Sequence, residues 1–427
     1  MKLFITLSLI IAASFSTAFA QDKGSLTSIE ALNQLAKQKL SAQPNVPLAD
    51  EKSEICAGAD VLEAGKVPNY VRALALLPNA AKPFAATFKA YLYDGTIAPE
   101  TKMAMGVRIA QIYGSAYPAI HLQRLLRASD RGQKLLSGLK ANALAELSAS
   151  EQAALRYTEL LTRDVHGVSD AEFQKTRASF NDSQVVELTM TTAFFNYFLR
   201  FCEGANLPVE KWAIEEPVAK VTPPKFDLPP ARVALVSDDE MNAVVETLNA
   251  AKTPTNNWNI GIANSQRAFM LVPGITRAWR AYTGASRGYE SVTREIKLHV
   301  SFAISMANGC RYCTLHQVLG LRRLNVDPAK LMAMAKDDSA LTPRELAAVT
   351  FARKITREPA NLAKDDYAAL VTEFKEQGAL EVLLQCGNFA YMNRFTDGLR
   401  LPSEDEAVKI YQETYGKKFE EVRKLNK

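Results

Sequence analysis

Residues 342–357 read TPRELAAVTFARKITR. Thr342, followed three positions later by Glu345, has the form of a capping box, in which a hydroxyl and a carboxylate each satisfy a backbone N–H at a helix start. Apolar residues then return at spacings of three and four, the period of one buried helix face. Outward from this stretch, Lys364 to Gln377 and Leu380 to Leu399 carry the same period with few β-branched runs. No alternating strand bounded by hairpin turns stands out anywhere in the chain. The sequence predicts an all-α protein.

The start signal occurs twice. Leu147-Ser148-Ala149-Ser150-Glu151 matches Leu341-Thr342-Pro343-Arg344-Glu345, and the match extends on both sides. Pro78 to His121 lies over Pro273 to His316 without a gap, which pairs Glu100 with Glu295, Lys102 with Lys297, Gly114 with Gly309, Tyr117 with Tyr312 and His121 with His316. Farther on, Tyr197, Arg200, Phe201, Gly204 and Pro208 fall on Tyr391, Arg394, Phe395, Gly398 and Pro402. Such internal similarity reads as tandem duplication into two similar helical bundles. The expected division is a signal peptide at 1–20, a helical lead-in at 21–55, a first unit at 56–215, a proline-rich linker at 216–236, a second unit at 237–402 and a charged helical tail at 403–427.

Met1-Lys2, the mostly apolar run Leu3 to Ala13 and the small-x-small ending Ala18-Phe19-Ala20 have the pattern of a cleaved secretory signal. The apolar run is too short to span a bilayer, and no later stretch approaches the necessary length. The expected location is therefore the periplasm or the extracellular space, with no membrane partner. A formal charge of +5 over 427 residues, with no dense basic run, gives no reason to propose nucleic acid. Five cysteines follow the signal: Cys56, Cys202, Cys310, Cys313 and Cys386. An oxidising compartment permits disulfides, and Cys56 and Cys202, which bracket the first unit, are one possible pair. Cys386 reads as a small buried residue, and His166 as a solvated loop residue.

The chemistry concentrates in Asn308-Gly309-Cys310-Arg311-Tyr312-Cys313-Thr314-Leu315-His316. A helix starting near Gly309 places both thiols at its N-terminus, where free N–H groups and the helix dipole favour a thiolate. Residues three apart are helix neighbours, so Cys310 can reach Cys313, and Cys313 can reach His316. Three readings of the pair compete at this point. It is a redox dithiol with His316 moving protons, a metal site with Cys310, Cys313, His316 and Cys386 or His299 as ligands, or a structural cystine, whose short loop gains little closure entropy. At the positions of Cys310 and Cys313 the first unit has Ser115 and Pro118, and Ala104 stands for His299. The scaffold is therefore written once without the thiols, which favours a redox role over a structural one.

The A-N-G-C-R-Y-C-T-L-H run between helices resembles the alkylhydroperoxidase D and carboxymuconolactone decarboxylase (AhpD-like) family. The cysteine pair places the resemblance on the peroxidase branch. It implies an all-helical subunit that oligomerises, acts on a hydroperoxide and draws on a thiol reductant, with no cofactor and no metal. Cys313 would attack the peroxide, Cys310 would resolve, and a histidine and an upstream glutamate would relay protons. Two positions depart from the pattern. The family histidine stands four residues after the second cysteine, where this chain has Gln317, with His316 one earlier. The family glutamate stands twelve before the first cysteine, where this chain has Leu298, with Glu295 one turn before it and His299 one residue after. A three-residue shift turns a side chain by roughly 60° and moves it ~4.5 Å along the axis. Glu295 and His299 are thus the relay candidates, and Glu100 keeps the register of Glu295 where there is no thiol. The rival reading is a decarboxylase-like enzyme, or a non-redox binding or assembly protein with a static cystine.

Overall fold

The computed structural model describes residues 25–63, 65–216 and 263–425. The signal segment, and all but the first residue of the proline-rich linker, lie outside them. The described residues form helices joined by turns and short 3₁₀ segments, with no strand among them, as the periodicity predicts. None of these helices is long and apolar enough to cross a membrane.

In order they are α1 (Ile29–Gln38), α2 (Asn69–Arg72), α3 (Pro78–Tyr93), α4 (Pro99–Tyr113), α5 (Ala116–Leu126), α6 (Asp130–Ala141), α7 (Ala149–Arg163), α8 (Asp170–Arg177), α9 (Asp182–Gly204) and α10 (Lys211–Glu215). Then come α11 (Asn264–Phe269), α12 (Pro273–Arg287), α13 (Arg294–Asn308), α14 (Arg311–Arg323), α15 (Pro328–Lys336), α16 (Pro343–Arg357), α17 (Lys364–Gly398), α18 (Asp405–Tyr415) and α19 (Phe419–Arg423). Both expected capping boxes form, at Ser148 and Glu151 and at Thr342 and Glu345. The two helices expected at 364–377 and 380–399 run on as α17, interrupted at Lys375 by a φ of 61°.

The same sequence positions make the same bonds in both halves. Lys102 pairs with buried Glu187 at 2.6 Å, and Lys297 with buried Glu381 at 2.8 Å. Each glutamate also takes backbone N–H groups from the turn preceding α4 or α13: Thr96 and Ile97 in one case, Ser291 in the other. A buried charge is tolerated when it is paired and its remaining lone pairs are used, and these turns supply the second condition.

The halves pack through corresponding helices: α9 against α17, and α3 against α12. Glycines let α9 and α17 approach closely, since a Cβ on Gly204 would stand 2.2 Å from Leu383 and one on Gly387 2.5 Å from Tyr197. The buried contacts are reciprocal. Arg200 donates to the carbonyl of Thr356 at 3.0 Å, Arg394 donates to that of Thr162 at 3.1 Å, and both guanidiniums donate to the hydroxyl of Tyr113. Such exchange of equivalent partners is what a local two-fold arrangement requires. One hydrophobic core runs through both halves, with Phe84 against Tyr282 at 4.7 Å and Trp279 stacked on Tyr391 at 4.4 Å between ring centroids. A smaller core joins α13, α14 and α15 to the C-terminal helices, through Phe302, Leu315 and Met334 on one side and Tyr411, Tyr415 and Phe419 on the other.

Candidate functional site

Gly309 ends α13 with a φ of 77°, a left-handed turn that a glycine adopts without a Cβ penalty. A Cβ there would also collide with the guanidinium of Arg423, which lies against the turn from α19. The chain then re-enters a helix at once. Cys310 is the N-cap of α14, and its sulfur accepts the N–H of Cys313 at 3.3 Å. Both sulfurs lie 3.4 Å from Oγ1 of Thr396, near the end of α17. That hydroxyl donates its one proton to the Met392 carbonyl at 2.9 Å, so it can accept from either thiol. The sequence expectation of two thiols together at a helix N-terminus is met.

The expected thiolate at Cys310 is not. Burial pushes the Cys310 thiol well above its ordinary range, and its bond to Cys313 and the charges of Cys313 and Asp397 push the same way. Cys310 is fully buried and Cys313 is only 3% exposed. The helix N-terminus is present, but desolvation outweighs it. All five cysteines are free and buried, so Cys56 and Cys202 form no disulfide with each other.

Asp397 is the residue that sequence reading missed. It lies against Cys310, and its Oδ2 is buried without a hydrogen-bond partner. Burial pushes its carboxyl up to about 7, with Asp164 adding to this, while His166, Cys310 and Arg423 pull it down. A carboxyl poised there can take and return a proton near neutral pH. The signal was available in the repeat, because the stretch that aligns Phe201 with Phe395 and Gly204 with Gly398 also aligns Glu203 with Asp397. In the first half Ser115, at the place of Cys310, bonds Glu203 at 2.5 Å, and Lys39 pairs with the same glutamate at 2.7 Å. His166 also does more than expected. It is exposed, but its Nε2 lies 2.8 Å from the Gly309 carbonyl, joining the loop after α7 to the cysteine turn.

His316 points elsewhere than expected. Its Nδ1 bonds the Tyr312 carbonyl at 2.7 Å, and its Nε2 lies 2.5 Å from Glu404, the N-cap of α18. Tyr312 stacks on the ring and donates to Glu404 at 3.0 Å, and the Asn264 N–H donates to the same carboxylate at 2.6 Å. Burial works to raise Glu404, but the His316 and Asn264 bonds outweigh it and bring it down to about 2. The first half repeats this group: His121 lies 2.9 Å from Glu210, which also takes the Tyr117 hydroxyl at 2.8 Å and the Asn69 N–H. Both nitrogens of His316 are thus engaged away from the thiols, in an arrangement that also exists where there are none.

Glu295 and His299 make their polar contacts with groups other than the thiols. From His299 to the end of α13 the helix rises roughly 13 Å, at ~1.5 Å per residue. Glu295 bonds Lys330 at 3.1 Å, and His299 sits between Glu295 and Glu345. The ligand set weighed from the sequence, with Cys310, Cys313 and His316, does not converge. The acid and imidazole groups that do converge are Glu295, His299 and Glu345.

Residues 273–354 match the model of the carboxymuconolactone decarboxylase family. The matched segment covers α12 to most of α16 and contains both cysteines of the pair. No curated protein and no solved structure matches the chain.

Proposed function

We propose that this protein is an exported, thiol-dependent peroxidase-type oxidoreductase that cycles Cys310 and Cys313 between dithiol and disulfide. The observation that carries the reading is the placement of two thiols around one hydroxyl, at a helix N-terminus, beside a carboxyl that titrates near 7. The family match to 273–354 supports the helical frame. The likeness of the halves supports an origin by duplication, with pairing of the halves taking the place of a subunit contact.

The thiolate of Cys313 attacks the terminal oxygen of a hydroperoxide. The S–O bond forms, the O–O bond breaks, and the alkoxide leaves as an alcohol with the proton that Cys313 gave up. Asp397, which lies against Cys310, is available to take the Cys310 proton at the second step. Cys310 then attacks the Cys313 sulfur, the S–O bond breaks, and hydroxide leaves as water with the proton of Cys310. Cys313 is oxidised and then joined to Cys310, and the peroxide is reduced. An external dithiol restores the pair by exchange. Cys310 suits the resolving role because its proton stays on until the sulfenic acid forms. His316 and Glu404 hold α14 to α18 and set the direction of the thiols, which makes them positioning residues.

The burial of both thiols favours one second reading, a non-redox protein of the same fold. Peroxide consumption with dithiothreitol as reductant, compared among wild type, Cys313→Ser and Cys310→Ser, separates the two. The oxidoreductase loses turnover with either change, and equal rates in all three would rule it out.

A further inference from the structure

His299 is completely buried on α13, and neither of its ring nitrogens has a hydrogen bond. A neutral imidazole carries one donor and one acceptor, and leaving both unpaired in the interior is costly. Its Nδ1 is 3.4 Å from Oε1 of Glu345, and its Nε2 is 3.7 Å from Oε1 of Glu295. These separations are long for hydrogen bonds. They start from opposite ring nitrogens, and a single ion binds only one of the two, with donors held at about 2.1 Å from the metal standing at most about 4.2 Å apart. One ligand atom from each of the three residues falls within 4.8 Å of the others, so a small contraction closes the set.

Other features fit a cation here. Glu345 is fixed, because its Oε2 takes the N–H and the hydroxyl of Thr342 in the capping box, leaving Oε1 aimed at His299. The two carboxylates already hold one cation, the ammonium of Lys330, at 3.1 and 2.7 Å. Lys330 is 23% exposed and Glu295 38%, so the lysine can swing outward and leave a path from solvent. The first half shows that the fold does not need the histidine. There Ala104 replaces it, Glu100 takes the Ser129 hydroxyl at 2.9 Å and Glu151 pairs with Arg131 at 3.1 Å.

We infer that Glu295, His299 and Glu345 form a binding site for a divalent transition-metal ion, which enters by displacing Lys330. One imidazole and two carboxylates suit a borderline ion such as Zn²⁺ or Co²⁺. The inference is independent of the dithiol chemistry.

The test is equilibrium dialysis against Co²⁺ of the full mature chain carrying Cys310→Ser and Cys313→Ser, which removes sulfur as a competing ligand. One equivalent binds, and adding Lys330→Met tightens it at least tenfold by removing the resident ammonium. Adding His299→Gln or Glu345→Gln to the Lys330→Met chain weakens binding at least tenfold, and Co²⁺ then no longer raises the melting temperature. Two separate variants keep the test decisive where one does not fold. The inference is overturned if Co²⁺ fails to bind stoichiometrically to the Lys330→Met chain, or if binding survives both ligand changes.

Discussion

The two halves place the same kind of pair at the same turn and finish it differently. In the first, Ser115 gives its hydroxyl proton to Glu203, and Lys39 neutralises that glutamate. In the second, Cys310 stands for the serine and Asp397 for the glutamate, and Asp397 has an oxygen without a hydrogen-bond partner. A hydroxyl bonded to a neutralised carboxylate is a finished structural contact. A thiol beside an under-satisfied carboxyl holds a proton that either group can take. The surrounding frame is shared, and it includes Tyr117, His121 and Glu210 in one half and Tyr312, His316 and Glu404 in the other. What is shared belongs to the scaffold, and what differs is the candidate chemistry.

The largest difference expected between the halves is in turnover. Cys313→Ser lowers peroxide consumption by about 10³-fold or more, because no other group replaces the nucleophile. Ser115→Ala in the first half leaves the rate within about twofold, and a comparable loss there would break the comparison.

The next effect separates positioning from proton relay. A general acid or base typically contributes 10²–10⁴-fold. His316→Gln keeps a hydrogen-bonding side chain in contact with Glu404 and is expected to cost less than about tenfold in turnover. It should also leave the pH–rate profile unmoved. Asp397→Asn is expected to cost about 10²-fold and to remove a limb of that profile near pH 7. The reverse pattern would return the relay to His316.

Asp397 also makes a stability prediction. Its pKa is raised from 3.8 when free to about 7 in the fold, so between these values the folded state holds the proton and the unfolded state does not. Stability therefore falls as pH rises from about 4 to 7. Asp397→Asn removes this slope and stabilises the protein at pH 8 by on the order of 2–4 kcal/mol, with little effect near pH 4. Urea unfolding at the two pH values measures it. Glu203→Gln in the first half should give no such gain, since it breaks the ion pair with Lys39.

A smaller effect tests the joint between the halves. Tyr113 accepts from both Arg200 and Arg394, and although burial pushes its hydroxyl up, the two guanidiniums bring it down to about 8. Tyr113→Phe leaves each arginine its carbonyl partner and is expected to cost about 2 kcal/mol, read by urea unfolding.

The helical class, the capping boxes at Thr342 and Ser148, and the meeting of Cys310 and Cys313 were legible in the sequence because each depends on neighbours within a few positions. The repeat extended that reach, since one half served as the control for the other. Partners brought together by tertiary packing were not legible. Asp397 reaches Cys310 from the end of α17, Glu404 reaches His316 from the start of α18, and His166 reaches Gly309 from the other half. Local spacing also suggested a depressed thiol pKa from the helix N-terminus, and it could not register the burial that reverses this at Cys310. Glu295 and His299 were placed in the relay because they flank the position of the family's glutamate, and in the structure their partners are Lys330 and Glu345.

The most direct test of the second half as the redox half is a single turnover. The reduced protein is treated with one equivalent of hydroperoxide, quenched with an alkylating agent and read by peptide mass. With a Cys310–Cys313 redox cycle, the Cys310–Cys313 peptide loses two hydrogens and escapes alkylation in proportion to the peroxide consumed, while Cys56, Cys202 and Cys386 are unchanged. Full alkylation of both thiols with the peroxide still present would contradict it.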